Sequence, residues 1–262
     1  MAEVRKFVRD EKPAPEQEAK LEEQLMATHA AFDLLVAQNP NHAGVRLTYG
    51  SFLFELDENE AAGAQWQEAS KLDPKNPLIW DCLAQYQAEV GTPAKAFVSL
   101  EKAIALAPDE PAYLLNLALC LDLFPEEARQ HYRLEAAEVQ GRIILLYQRA
   151  MKLGPRDFVL ATEYAQLFYG FRPFREREAL AAWNYALSIA HDNEEQQGIL
   201  IHLARVAINA GSFNEAAQYL ARVNLPKYDS LKRTLLANIE RRKAGDLPDR
   251  SPLFGIPNAR TL

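Results

Sequence analysis

Apolar side chains recur along this chain at helical spacing. Over residues 17–38, Leu21, Leu25, Thr28, Phe32 and Leu35 share one face, which predicts a single amphipathic helix. Near the other end Tyr228, Leu231, Leu235 and Ile239 do the same over residues 227–244. The run Glu240-Arg241-Arg242-Lys243 follows toward the C-terminal turn, where cations suit the helix dipole. Between these ends the pattern has a fixed period. Pro40, Pro74 and Pro108 stand 34 residues apart, and before each of the last two an Ala, a bulky apolar residue and a second Ala sit at matching offsets. A period of this length means a stack of like supersecondary units, each packing on its neighbours.

With the closing Pro set at position 32, residues 43–76 place Gly50 at position 8, Ala62 at 20, Trp66 at 24, Ala69 at 27 and Pro74 at 32. Residues 77–110 place Trp80 at 4, Leu83 at 7, Ala84 at 8, Gly91 at 15, Ala96 at 20, Leu100 at 24, Ala103 at 27 and Pro108 at 32. Small residues at 8, 20 and 27 let helices approach closely, and the large ones at 4, 7 and 24 fill the gaps between them. The Pro ends the second helix because it lacks an amide hydrogen and clashes with the preceding turn. These positions and spacings resemble the tetratricopeptide repeat. The fold class they predict is all-α: an α-solenoid, a right-handed superhelix of about six antiparallel helix hairpins.

The remaining units follow with adjustments. The predicted boundaries are 17–42, 43–76, 77–110, 111–157, 158–193 and 197–226, with a capping helix at 227–244. Residues 1–16 form an N-terminal extension, and residues 245–262, with Pro248, Pro252 and Pro257, an extended tail that cannot be a regular helix. The fourth unit opens with Leu114, Leu117 and Ala118, but its closing marks Tyr147, Ala150 and Pro155 come 13 residues late. The insertion within 125–142 is helical in pattern through Ala128, Tyr132, Ala136 and Val139. It predicts a second helix lengthened at its N-terminus by about 20 Å, with a break at Gly141 as the alternative.

Composition narrows the function classes. The net charge of -7 argues against nonspecific nucleic-acid binding, which draws its affinity from Lys and Arg on phosphates. The balance is uneven: residues 1–130 hold 11 Lys and Arg against 22 Asp and Glu, residues 131–262 hold 18 against 14. That asymmetry serves solubility first and leaves head-to-tail contact open. No N-terminal signal-like segment and no run of 18 apolar residues is present, so the expectation is a soluble, cytoplasmic protein with no membrane partner. Cys82 and Cys120 lack metal-type spacing and read as buried apolar residues. His29, His42, His131, His191 and His202 show no i, i+4 metal pairing, and no Gly-rich phosphate loop is present. The expectation is therefore no enzyme, with no catalytic residue, cofactor or metal.

The tetratricopeptide resemblance implies a functional surface on positions 2, 5, 9, 12 and 13 of each first helix, an inner groove that holds a protein or peptide. Those slots give Leu47, Ser51 and Phe54 in the second unit, Leu78, Asp81 and Gln85 in the third, and Leu115, Leu119 and Leu123 in the fourth. The fifth adds Val159, Thr162, Gln166 and Tyr169, and the sixth Ile201, Arg205 and Ile208. One subclass grips a chaperone's C-terminal carboxylate with Lys, Asn and Arg at positions 5 and 9. Here those positions hold Leu47 and Ser51, Asp81 and Gln85, Leu115 and Leu119, so that clamp is missing. A largely apolar groove suits an apolar helix or extended segment, with Asp81, Gln85, Gln166 and Arg205 setting its orientation. The function expected is a noncatalytic interaction scaffold or adaptor. The alternatives are a homo-oligomer stacking through its caps or the helix around Tyr132, and a regulatory subunit of an enzyme. For the tail, with Leu253, Phe254 and Ile256, self-docking in the groove, disorder and a motif read by another protein all stay open.

Overall fold

The computed structural model describes residues 15–245, and every regular element among them is helical. The predicted extension up to residue 14 and the tail from residue 246, including its self-docking, lie outside the described residues. The chain divides into two compact units at Arg133 and Leu134.

The first unit begins with α1 (Pro15–Gln38) and continues through α2 (Ala43–Glu55), α3 (Asn59–Leu72), α4 (Pro77–Glu89), α5 (Pro93–Leu106), α6 (Pro111–Leu123) and the short α7 (Pro125–Tyr132). Local chemistry sets these boundaries. His42, Asn76 and Glu110 each accept a hydrogen bond from an amide at the start of the following helix, at 3.2, 3.1 and 3.3 Å. Pro77, Pro93 and Pro111 occupy first helical turns, where a missing N–H costs nothing. Helices α2 and α3 pair as one hairpin and α4 and α5 as the next. Where the period calls for small side chains, Ala62, Ala69, Ala96, Ala103 and Ala118 are all 0% exposed. Gly50 is the tightest of these places: a Cβ there would lie 2.5 Å from Trp66 Nε1, which donates to Leu47 O at 3.2 Å. Trp66 and Phe97 fill the gaps and are fully buried, each contributing about 1.5–3 kcal/mol or more of apolar burial.

Residues 17–38, read from the sequence as one amphipathic helix, lie in α1, which runs unbroken from Pro15 to Gln38 and rests on α2 through Phe32, stacked on Tyr49 at 4.9 Å. One expectation changes here. The insertion is not a lengthened second helix, and Gly141 does not break it. The helix stops after Tyr132, where Arg133 takes a left-handed conformation (φ 54), and the next starts at Ala136 behind a capping box between Glu135 and Glu138. The reason is tertiary. Tyr132 packs on Phe97 at 5.7 Å and donates to Glu101 at 3.0 Å, while Ala128 is fully buried, so α7 lies across α5 as a separate piece.

The second unit comprises α8 (Ala136–Leu153), α9 (Phe158–Leu167), α10 (Glu176–Ile189), α11 (Asn193–Asn209), α12 (Phe213–Ala221), a 3-10 turn at Pro226–Tyr228, and α13 (Asp229–Lys243). Helices α9 and α10 form one hairpin and α11 and α12 another. Asp157 and Asp192 cap α9 and α11, accepting amide hydrogens at 2.9 and 2.8 Å. Ala150, Ala165, Ala179, Ala186, Ala204 and Ala216 repeat the fully buried small positions. Gln197, 3% exposed, ties the end of the last hairpin down by accepting from the amides of Asn224 and Leu225, both at 2.8 Å. Helix α13 closes this unit against α11 and α12, with Arg242 donating to Ile208 O at 3.3 Å.

Candidate functional site

In the first unit the residues assigned to the groove lie on α2, α4 and α6, the first helices of successive repeats. Helix α4 joins α6 through Asn116, which donates to Asp81 at 2.8 Å. Gln85, one turn along α4, donates to the other Asp81 oxygen at 3.3 Å. Around this pair lies an apolar surface open to solvent: Leu78 is 46% exposed, Leu119 50% and Leu123 65%, with Leu115 half-buried among them. On α2, Leu47 and Phe54 lean into the core around Trp66, and Ser51 donates to Leu47 O at 3.1 Å. These three are half-buried, so the surface is most open on α4 and α6.

Asp81 is an unusual member of this surface. It is 6% exposed, and the donors that meet it are neutral amides rather than a cation. Burial holds its carboxyl above the usual carboxylate range, against the pull of the Asn116 and Gln85 hydrogen bonds. Its charge is felt by its neighbours. Burial and then Asp81 push the Cys82 thiol up to about 12, while burial alone raises Cys120 to about 11, so both thiols stay protonated. Asp122 keeps an exposed edge beside Leu119 and Leu123, and desolvation raises its carboxyl too. The groove slots give Asp122 position 12 of its repeat, whereas Asn116 occupies none of them.

In the second unit the same slots behave differently. Val159 is 64% exposed and Thr162 and Gln166 are half-buried, so the start of the α9 face is open. Tyr169 is drawn inward: its hydroxyl lies 3.1 Å from His202 Nδ1 and donates to His202 O at 3.3 Å, and its ring stands 4.8 Å from the Arg205 guanidinium. His202 stacks on Trp183 at 4.1 Å with planes 7° apart. Burial, and then the Arg205 cation, push His202 down to about 3, so it is neutral at ordinary pH. Burial raises Tyr169 above the ordinary phenol range. Ile201, Arg205 and Ile208 are 3%, 9% and 0% exposed. These sixth-repeat slots offer a guest no surface, because α11 is buried nearly all round.

No family model matches the sequence, and no curated protein matches it. Solved structures match in fold. The C-terminal part of a TPR repeat-containing protein from Cytophaga hutchinsonii aligns with TM-score 0.58 at 14% identity, over 75% of this chain and 73% of that one. YrrB, described as a TPR protein with an unusual peptide-binding site, aligns with TM-score 0.56 at 14% identity, over 82% of this chain and 98% of its own. PilW, a type IV pilus biogenesis factor, aligns with TM-score 0.54 at 16% identity, over 84% and 94%. The fold is that of the tetratricopeptide repeat.

Within these tetratricopeptide hairpins, the described residues contain no group of three or more His, Cys, Asp or Glu side chains close enough to hold a metal ion. Among the described residues no helix is long and apolar enough to cross a membrane.

Proposed function

We propose that the chain is a noncatalytic scaffold whose inner helical face, on α4 and α6, holds a peptide or helix of another protein. One observation carries this reading. Helix α6 is apolar on both sides, and while Leu114, Leu117 and Leu121 fill the core, Leu119 and Leu123 stay half or more exposed. A helix apolar all round belongs in an interior, and a contiguous exposed apolar patch marks a place where another molecule sits. A peptide-binding site in YrrB, a fold neighbour, supports the same reading. The test is selection of binders from a random peptide display library on the intact chain, followed by their affinities for Leu119→Asp. Because Leu119 is exposed, this change spares the core. Groove binders should weaken at least tenfold; binders that hold Leu119→Asp equally well would refute the reading.

A second reading, self-assembly, has one observation for it. Helix α1 has no hairpin partner among the described residues and exposes Met26, Leu34 and Leu35 at 66%, 58% and 43%. The other interface considered for assembly, around Tyr132, holds that side chain half-buried with its hydroxyl donating to Glu101 at 3.0 Å. Solution mass of the intact chain beside Leu34→Glu decides the matter: a dimer that the substitution converts to monomer would favour assembly.

A further inference from the structure

The open leucines lie on helices of one charge sign. Across α4 and α6 the charge-bearing side chains are Asp81, Glu89 and Asp122, with no lysine or arginine on either helix. Their placement matters more than their number. Glu89 and Asp122 sit in the last turns of their helices, where the unsatisfied carbonyls already concentrate negative potential and a cation would be the stabilising choice. Asp81 lies beneath the apolar surface, 6% exposed and met by the amides of Asn116 and Gln85, which satisfy its hydrogen bonds without cancelling its charge. A carboxylate in such a place attracts a cation more strongly than one in water, because the field is less screened.

We infer that the occupant of this face is a cationic amphipathic segment, in which lysines or arginines alternate with apolar side chains at helical spacing. The inference rests on the groove reading above and adds the charge of the guest. Long basic side chains fit both demands of the surface. Their methylene stems lie along Leu78, Leu119 and Leu123, and their charged heads reach the carboxylates at the helix ends and over Asp81. An acidic guest would meet like charge in a desolvated setting, which is costly and gives the site its selectivity.

The test uses the intact chain and three labelled amphipathic peptides of about four helical turns that share one apolar face. Their polar faces carry lysine, glutamine or glutamate, and binding is read by fluorescence anisotropy at physiological salt. The lysine peptide should bind at least about tenfold more tightly than the glutamine peptide, and the glutamate peptide more weakly than either. The double variant Glu89→Gln with Asp122→Asn, and separately Asp81→Asn, should each cut the lysine peptide's affinity by roughly three- to tenfold and leave the glutamine peptide unchanged. Leu119→Asp should weaken the glutamine peptide. If lysine and glutamine peptides bind alike and both weaken with Leu119→Asp, the groove stands and the charge inference falls. If Leu119→Asp leaves the glutamine peptide's affinity unchanged, the groove reading itself fails. Lysine-peptide binding that the carboxylate substitutions leave intact, and that salt alone abolishes, is attraction to the acidic chain at large and overturns the inference.

Discussion

Replacing Gly50 by alanine should destabilise this protein even though alanine is the better helix former. Inside α2 the exchange would gain about 1 kcal/mol of helix propensity. The structure reverses that sign. The new Cβ would lie 2.5 Å from Trp66 Nε1 and 2.6 Å from Cδ1, closer than carbon atoms tolerate. Trp66 is 1% exposed and has nowhere to retreat, so either the indole leaves its bond to Leu47 O, now 3.2 Å, or α2 and α3 separate. Overpacking costs about 1–3 kcal/mol and a lost indole hydrogen bond about 1 kcal/mol more, which together outweigh the propensity gain. The net expectation is a loss of roughly 1–3 kcal/mol. Gly141→Ala is the control, because nothing lies within 4 Å of its Cβ inside α8; it should gain roughly 0.5–1 kcal/mol. Urea unfolding followed by circular dichroism measures both. Hydrogen exchange should further place the Gly50 effect in α2 and α3, since a repeat array opens unit by unit. A Gly50→Ala protein as stable as the parent would refute the close-approach reasoning.

Other consequences follow from buried polar groups. Asp81 is held above its usual range in the folded chain, so its contribution to stability is present below the unfolded carboxylate range and is lost as pH rises through the folded value. Asp81→Asn should therefore raise the urea midpoint at neutral pH, with the gain vanishing in acid, even as it weakens a cationic guest. His202 has the opposite sign: pushed down to about 3, it stabilises the fold above the ordinary histidine range and loses that contribution as pH falls toward about 3. His202→Phe should flatten the acid loss of stability between about pH 6.5 and 4, and an unchanged profile would count against His202 being buried neutral. Ala128→Arg should release α7 from α5, because the site is 0% exposed and cannot take a charge; limited proteolysis near Arg133 should speed up while the α2–α3 hairpin stays protected.

The close-packing positions were legible from residue type and spacing. Gly50, Ala62, Trp66 and Ala69 announce themselves because a hairpin needs the same small and large volumes wherever it recurs, and that need is local in sequence. The break after Tyr132 was not legible. Residues 125–142 read as continuous helix, and only the docking of Tyr132 against Phe97 and Glu101 explains why one helix ends at Arg133 and the next starts at Ala136.

The groove divides in the same way. The tetratricopeptide slots were read from the repeat's register, but register says which way a side chain points and nothing about what stands in front of it. Leu119 and Arg205 occupy equivalent slots of their repeats, yet the leucine is 50% exposed and the arginine 9%. The chain's period thus determined the helices, their pairing and their close contacts, since these depend on neighbours a few tens of residues away. Which face stays open, and which carboxylate is buried beneath it, was decided by tertiary packing, because burial depends on every element that arrives from elsewhere in the chain.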